Sequence, residues 1–149
     1  PTPYAIGRLI YLSRRHQGCP SFDLYLKKPC GKIAIANHKT APYGQASRVF
    51  LENIGALDKI KDYIVYGESI SQVNRFFMSG SIQQVITSQS LVYTDKFNHT
   101  LDFQYLPDSS YTKISQSYLQ LTHHKALDEF LQFIQSVEGK SILHKFGYQ

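Results

Sequence analysis

The fold is decided by residues 32–60, KIAIANHKTAPYGQASRVFLENIGALDKI. This stretch opens with a short run of isoleucine and alanine, which is typical of a buried strand. After a polar loop, apolar residues recur at the spacing of one helical face, at Ala46, Val49, Phe50, Ile54 and Leu57. Pro42 suits the first helical position, where its missing N–H costs nothing, and Gly55 suits the helix exit. The stretch therefore predicts a strand, a turn and an amphipathic helix.

The same pattern continues along the chain. Residues 62–66, DYIVY, predict a second strand, and residues 84–87 predict a third. Between them, Ser69-Ile70-Ser71-Gln72 has the Ser-x-x-Gln form of a capping box, which predicts a helix with Ser69 at its N-cap and Gly80 at its end. Strands alternating with helices predict an α/β fold with a mainly parallel sheet flanked by helices.

Two predicted helix starts, at Tyr43 and Ile70, each come after a predicted strand and a short loop. The first N–H groups of a helix have no partner within the helix and lie at the positive end of its dipole. Because the carboxyl ends of parallel strands meet at one edge of a sheet, both helix starts are expected there. The sequence therefore predicts an anion site built from main-chain donors.

The remaining segments carry weaker patterns. Residues 8–13 predict a strand that enters the sheet, and residues 14–31 predict a loop with one helical turn around residues 22–26. Residues 101–106 and 114–121 alternate as strands do. The C-terminal part predicts a helix with an apolar stripe and then a last helix capped by Ser136 and ended at Gly147; the stripe consists of Ala126, Leu127, Phe130, Leu131 and Ile134.

Composition narrows the function classes. The net charge of the 149 residues is +5, but lysine and arginine are scattered, which favours a solvated surface over a nucleic-acid interface. No apolar run is long enough to span a bilayer. Carboxylates such as Asp58, Asp62 and Glu68 lack an accompanying nucleophile and base, so no enzyme is predicted.

The histidines and cysteines do not predict a metal site. His123 and His124 are adjacent, and in a strand they would point to opposite faces, so we expect surface histidines and no metal site. The other four histidines are scattered, at positions 16, 38, 99 and 144. Cys19 and Cys30 fit no zinc pattern, and their spacing leaves a disulfide and two reduced thiols as open alternatives.

Four segments in order resemble the periplasmic molybdate-binding proteins, the solute receptors of molybdate ABC importers. They are AIANHKTAPYGQASRVFLENIGALDKI at 34–60, VYGESISQ at 65–72, LPDSSYTKISQ at 106–116 and LDEFLQFIQSVEGKSILHKFGY at 127–148. The resemblance implies a type II periplasmic-receptor fold of which this chain is a fragment with the first lobe largely missing. Residues 1–110 would form the second lobe, and residues 111–149 would be the C-terminal return strand and helices belonging to the first lobe.

The resemblance also implies a site and its ligand. In the family, an oxyanion lies between the lobes, and two of its contacts map onto the backbone N–H of Tyr43 and that of Ile70, which follows Ser69. A third maps onto Ser88, where some members have a tyrosine; the alternative is a strand-end hydroxyl bonded to the backbone. Neutral N–H and O–H donors favour a fully deprotonated dianion, molybdate or tungstate, over phosphate, which carries a proton at pH 7.

The implied function is extracytoplasmic capture of molybdate or tungstate and delivery to the membrane permease of an ABC transporter. The protein would be periplasmic, or membrane-anchored outside the cytoplasm, with no cofactor beyond the anion. The alternative is the ligand-sensing effector domain of a bacterial transcription regulator, which shares the fold type. Because half of the site would be absent, we expect weak anion binding by this chain, and we expect the apolar stripe of residues 126–134 to promote self-association.

Overall fold

A computed structural model describes residues 1–93 and 100–149. Its strands are β1 Thr2–Gly7, β2 Leu9–Arg14, β3 Ile33–Ala36, β4 Ile64–Gly67, β5 Gln84–Ser88, β6 Leu101–Tyr105 and β7 Ile114–Tyr118. Its helices are α1 Phe22–Lys27, α2 Pro42–Asn53, α3 Leu57–Ile60, α4 Ile70–Met78, α5 Lys125–Gln135 and α6 Val137–Lys145. The predicted strand at 62–66 begins later, at Ile64, because Lys61–Tyr63 form a 3-10 turn, and the strand predicted over 114–121 ends at Tyr118.

Five strands form the main sheet, in the order β4-β3-β5-β2-β6. β3 runs parallel to both β4 and β5, whereas β2 runs antiparallel to β5 and β6. The α/β prediction is confirmed, but the sheet is parallel only over β4, β3 and β5. These are the strands joined by the crossover helices α2 and α4; β2 and β6 lie outside those units, which is why crossover reasoning did not reveal their direction.

A second, two-stranded sheet pairs β1 with β7 antiparallel, from Thr2 opposite Tyr118 to Gly7 opposite Ile114. The last residue lies along the other edge of β1, since Gln149 N–H donates to the Ile6 carbonyl (2.9 Å). β1 was not predicted as a strand. The chain passes between the two sheets at Arg8 and again between β6 and β7, and the predicted division at residue 110 stays a prediction.

The core covers both faces of the main sheet. Leu9 and Tyr11 of β2 pack in one buried cluster with residues of α1 and α2, whereas Ile10 and Leu12 pack in a second cluster with Val73 and Phe77 of α4. β3 divides in the same way, because alternate side chains of a strand point to opposite faces. With helices on both faces, β3 is buried and apolar throughout, as the sequence predicted.

Cys19 and Cys30 form a disulfide, with their Cα atoms 5.9 Å apart, and this decides between the two open alternatives. The bond closes the loop that contains α1. Gln84 holds this loop to the sheet from a fully buried position: its Oε1 accepts from Cys19 N–H (3.3 Å), and its Nε2 donates to the Lys32 carbonyl (2.8 Å).

The C-terminal helices form where they were predicted. Ser136 Oγ accepts from Gly139 N–H at the start of α6 (3.1 Å), and Gly147 after its end has a φ of +83°. In the stripe of α5, Leu127, Leu131 and Ile134 are half-buried and Phe130 is 56% exposed. Self-association through this face stays a prediction.

The strand environment assumed for His123 and His124 is wrong. His124 is the N-cap of α5, and its Nδ1 accepts from Ala126 N–H (3.3 Å). His123 Nδ1 lies 3.8 Å from Asp128 Oδ1. Over residues 1–93 and 100–149 there is no group of three or more histidine, cysteine, aspartate or glutamate side chains placed to hold a metal; His99 lies outside the described residues.

Candidate functional site: the carboxyl edge of the parallel strands

All four predicted site residues lie where the parallel strands end. β3 and β4 are in register up to Ala36 opposite Gly67, and β5 runs in the same direction on the other side of β3. Tyr43 follows β3 in the first turn of α2, Ser69 and Ile70 follow β4 at the start of α4, and Ser88 is the last residue of β5. Whether these residues contact a ligand stays a prediction.

The start of α2 leaves two donors free. Its N-cap, Ala41, has no side chain that can accept a hydrogen bond, and Pro42 has no N–H. The first N–H bonded within the helix belongs to Gln45, which donates to the Ala41 carbonyl (3.0 Å). In the described part of the chain, the N–H groups of Tyr43 and Gly44 have no acceptor.

Close packing fixes where α2 begins. A Cβ built on Gly44 would meet the carbonyl oxygen of Ala36 and lie 2.5 Å from that of Asn37, which is closer than real Cβ atoms come to backbone atoms. Only glycine lets the first turn of the helix approach the end of β3 this closely.

Tyr43 connects this edge to the two-stranded sheet. The residue is 8% exposed, and a Cβ on Gly7, the last residue of β1, would meet the Tyr43 hydroxyl. Burial raises the pKa of Tyr43, and the neighbouring phenols of Tyr148 and Tyr111 raise it further. The neutral side chain of Tyr43 therefore packs where the chain passes between the sheets, whereas its N–H lies at the start of α2.

The start of α4 is built from side-chain hydrogen bonds. Ser69 has extended backbone angles, and its Oγ accepts from Gln72 N–H (3.2 Å), which confirms the predicted N-cap. Gln72 Oε1 accepts from Glu68 N–H (2.6 Å), one residue before the donor that a standard capping box uses. The N–H groups of Ile70 and Ser71 have no acceptor among the residues the structure describes.

Hydrogen bonds join the two loops that lead into these helices. Asn37 N–H donates to the Gly67 carbonyl (2.7 Å), extending the β3–β4 ladder by one bond. The Thr40 hydroxyl donates to the Glu68 carbonyl (2.9 Å), and Asn37 Nδ2 lies 3.4 Å from both Glu68 carboxylate oxygens. Sequence reasoning missed these bonds because their partners lie about thirty positions apart in no local motif.

Ser88 has a side-chain partner. The residue is 5% exposed, and its Oγ lies 2.9 Å from that of Ser90. The alternative in which the Ser88 hydroxyl bonds the backbone is not what the structure shows. Only one of the two hydroxyls donates within this pair. If that donor is Ser90, the O–H of Ser88 is left to donate elsewhere.

The edge thus collects neutral donors from three strand ends. A model of the bacterial extracellular solute-binding protein family matches residues 1–149. The chain belongs to this family. This membership favours solute binding over the regulator alternative.

Similar proteins point the same way. The molybdate-binding protein ModA of Azotobacter vinelandii is 29% identical over 149 residues, covering 97% of this chain and 59% of that relative. ModA of Rhodobacter capsulatus is 27% identical over 148 residues, covering 97% and 58%. The chain therefore spans less than two thirds of the length of these solute-binding relatives.

Structural comparison confirms the predicted fold type. The solved structure of the Azotobacter vinelandii periplasmic molybdate-binding protein matches with a TM-score of 0.84 at 25% identity, over 99% of this chain and 66% of that structure. In residues 1–93 and 100–149, every helix of this family member is too short or too polar to traverse a lipid bilayer.

Proposed function

We propose that this chain forms one wall of an oxyanion site for molybdate or tungstate in an extracytoplasmic receptor of an ABC importer. The observation that carries the proposal is the pair of helix starts on neighbouring parallel strands, each with N–H groups that have no acceptor. Family membership and the two ModA relatives supply the ligand class.

Each residue has a role in this proposal. The N–H groups of Tyr43 and Ile70 donate to two oxygens of the anion, and the Ser88 hydroxyl donates to a third. Ser69 contributes by capping α4 and so orienting its first turn. A dianion without protons uses such donors fully, whereas the proton of a phosphate needs an acceptor that main-chain N–H groups lack.

We extend the proposal to the wider organisation of the receptor. Residues 1–110 form the second lobe and residues 111–149 the C-terminal return into the first, and β1 pairs with β7 of this return. The receptor is periplasmic, or anchored to the membrane on its extracytoplasmic side. Closure of the lobes around the anion prepares its delivery to a membrane permease. The role is binding and transport without catalysis, and no cofactor is needed.

The free energies involved limit the affinity that one wall of the site can reach. Two or three hydrogen bonds to a charged group contribute roughly 1.5–3 kcal/mol each. Association costs at least about 4 kcal/mol, and nanomolar affinity needs about 12 kcal/mol. The 149-residue chain is therefore expected to bind molybdate weakly.

Ile70→Pro tests the main-chain donor directly. Proline is well tolerated at the first helical position, and Ser69, with φ −146° and ψ 162°, already has the extended conformation that precedes proline. The variant thus removes one N–H and little else of the backbone. Ile70→Ala is the matched control, because it truncates the same half-buried side chain but keeps the N–H.

The measurement is titration of the 15N-labelled chain with molybdate, tungstate, sulfate and phosphate, followed by amide chemical shifts. We expect molybdate and tungstate to shift the amides of Tyr43 and Ile70, with a Kd roughly 10- to 100-fold weaker in Ile70→Pro than in Ile70→Ala. Equal affinity in the two variants would remove Ile70 N–H from the site. Absence of any molybdate shift at this edge, or an equal response to phosphate, would contradict the proposed function.

A further inference from the structure

Thr40 makes one of the hydrogen bonds that join the two candidate donor loops. It lies in the loop between β3 and α2, yet its hydroxyl donates to the carbonyl of Glu68 in the loop between β4 and α4 (2.9 Å). The residue is exposed, so the bond is not a by-product of burial. It joins two residues that lie 28 positions apart in the chain, and each of them directly precedes the N-cap of a helix.

The side chain of Thr40 is held in place from its own loop. Thr40 N–H and Ala41 N–H both donate to the Asn37 carbonyl (3.2 and 3.0 Å), which closes the loop into a tight turn. A β-branched side chain also has few χ1 rotamers. Little conformational freedom is therefore lost when the hydroxyl meets Glu68.

The backbone of Glu68, which accepts the Thr40 bond, is held by a second hydrogen bond. Glu68 N–H donates to Gln72 Oε1, and the Glu68 carbonyl accepts from Thr40, so both backbone polar groups of the residue are bonded. The next residues are the N-cap Ser69 and then Ile70. Orienting the Glu68 carbonyl therefore orients the chain just before the free N–H groups of α4.

Two donors from separate loops bind one anion well only if their spacing is set in advance. Donors that must reorganise on binding lose affinity to that ordering, whereas donors held by neighbouring hydrogen bonds do not. Backbone pairing of β3 and β4 ends with the bond from Asn37 N–H to Gly67. Beyond that point, the Thr40 hydroxyl extends the connection towards the helix starts.

We infer that Thr40 is a positioning residue for the oxyanion site: its hydroxyl holds the Tyr43 and Ile70 donors at the spacing that the anion requires. This inference rests on the proposed function. Thr40 itself does not touch the anion. Its effect is on affinity through the geometry of the two loops.

Thr40→Val tests the inference, because valine keeps the shape and β-branching of threonine and removes only the hydroxyl. The Glu68 carbonyl lies at the exposed edge and can bond water instead, so the midpoint of thermal unfolding should stay close to wild type. Thr40→Ser restores the hydroxyl. Thr122→Val, at an exposed threonine elsewhere, is the control for the substitution itself.

The readout is the Kd for molybdate from amide shifts in the full 149-residue chain. We expect a Kd about three- to tenfold weaker in Thr40→Val, and wild-type values in Thr40→Ser and Thr122→Val. In the absence of ligand, the Ser69 and Ile70 amides of Thr40→Val should already differ in 15N relaxation from wild type.

Three outcomes would overturn the inference. If wild type binds and Thr40→Val binds equally well, the Thr40 bond is irrelevant to affinity while the proposed function stands. If Thr40→Val loses affinity together with thermal stability and serine does not restore binding, the role is structural. If wild type shows no molybdate shift, the proposed function fails and the positioning role fails with it.

Discussion

The helices α2 and α4 begin at the same edge of the sheet but are held there by different interactions. The N-cap of α2 is Ala41, without any side-chain bond, whereas the N-cap of α4 is Ser69, whose hydroxyl accepts from Gln72 N–H. At the third helical position, α2 has Gly44, pressed against the end of β3, and α4 has Gln72, which reaches back to Glu68 N–H.

The difference shows two ways of keeping the first donors of a helix free. In α4, the Ser69 hydroxyl accepts from Gln72 N–H, and the Gln72 side chain accepts from Glu68 N–H. The N–H groups of Ile70 and Ser71, which lie between them, have no acceptor among the described residues. In α2, no side chain is available and contact between backbone atoms sets the position. The first turn of α2 is therefore held by packing and that of α4 by hydrogen bonding, so substitutions at equivalent positions should have unequal effects.

Gly44→Ala should give the largest effect. The added Cβ would meet carbonyl oxygens of Ala36 and Asn37, and backbone atoms cannot move aside as a side chain does. We expect the free energy of unfolding in urea to fall by about 2–3 kcal/mol, a net figure after the roughly 1 kcal/mol that alanine gains over glycine in helix propensity.

Gln45→Ala is the control for Gly44→Ala, since it lies one position further along α2 and is exposed. Its unfolding midpoint should stay near wild type. A Gly44→Ala variant as stable as Gln45→Ala would mean that α2 can move away from β3, and the proposed dependence of α2 on packing would be wrong.

Ser69→Ala should have an intermediate effect. Loss of the N-cap hydroxyl leaves Gln72 N–H without its side-chain acceptor, and we expect a loss of about 1 kcal/mol in the free energy of unfolding. Ser71→Ala is the matched control, two positions later and exposed. Ser69→Thr, which keeps an N-cap hydroxyl, should recover most of the loss; equal stability of the two alanine variants would show that the cap contributes nothing measurable.

Local patterns were sufficient to predict α4 and α2. Ser69 and Gln72 stand three positions apart, Pro42 and Gly55 mark the two ends of α2, and each signal acts within one helical turn of the residue it concerns. The edge that the two helices share followed from strand order, because a crossover helix makes its strands parallel.

Interactions between distant segments could not be predicted in this way. β1 is a strand only because β7 and Gln149 pair with it, and no property of Thr2–Gly7 alone indicates those partners. The disulfide between Cys19 and Cys30 depends on a Cα separation that spacing along the chain does not determine. The Thr40 bond to Glu68 and the Ser88 contact with Ser90 likewise appear only in three dimensions.

Ala41→Ser should give the smallest change in stability and would make α2 resemble α4. Ala41 has the extended backbone angles of an N-cap, φ −134° and ψ 129°, so a serine hydroxyl there can accept from Tyr43 or Gly44 N–H. Because residue 41 is 9% exposed and the hydroxyl must be partly desolvated, we expect a gain below about 1 kcal/mol in the free energy of unfolding.

The new cap also competes with the anion, so the Kd for molybdate should rise severalfold, measured by the same amide titration. Ala41→Gly, which suits an N-cap without supplying an acceptor, should bind molybdate as wild type does. If serine and glycine at position 41 gave the same affinity, the free N–H groups of α2 would not be the donors that the anion uses.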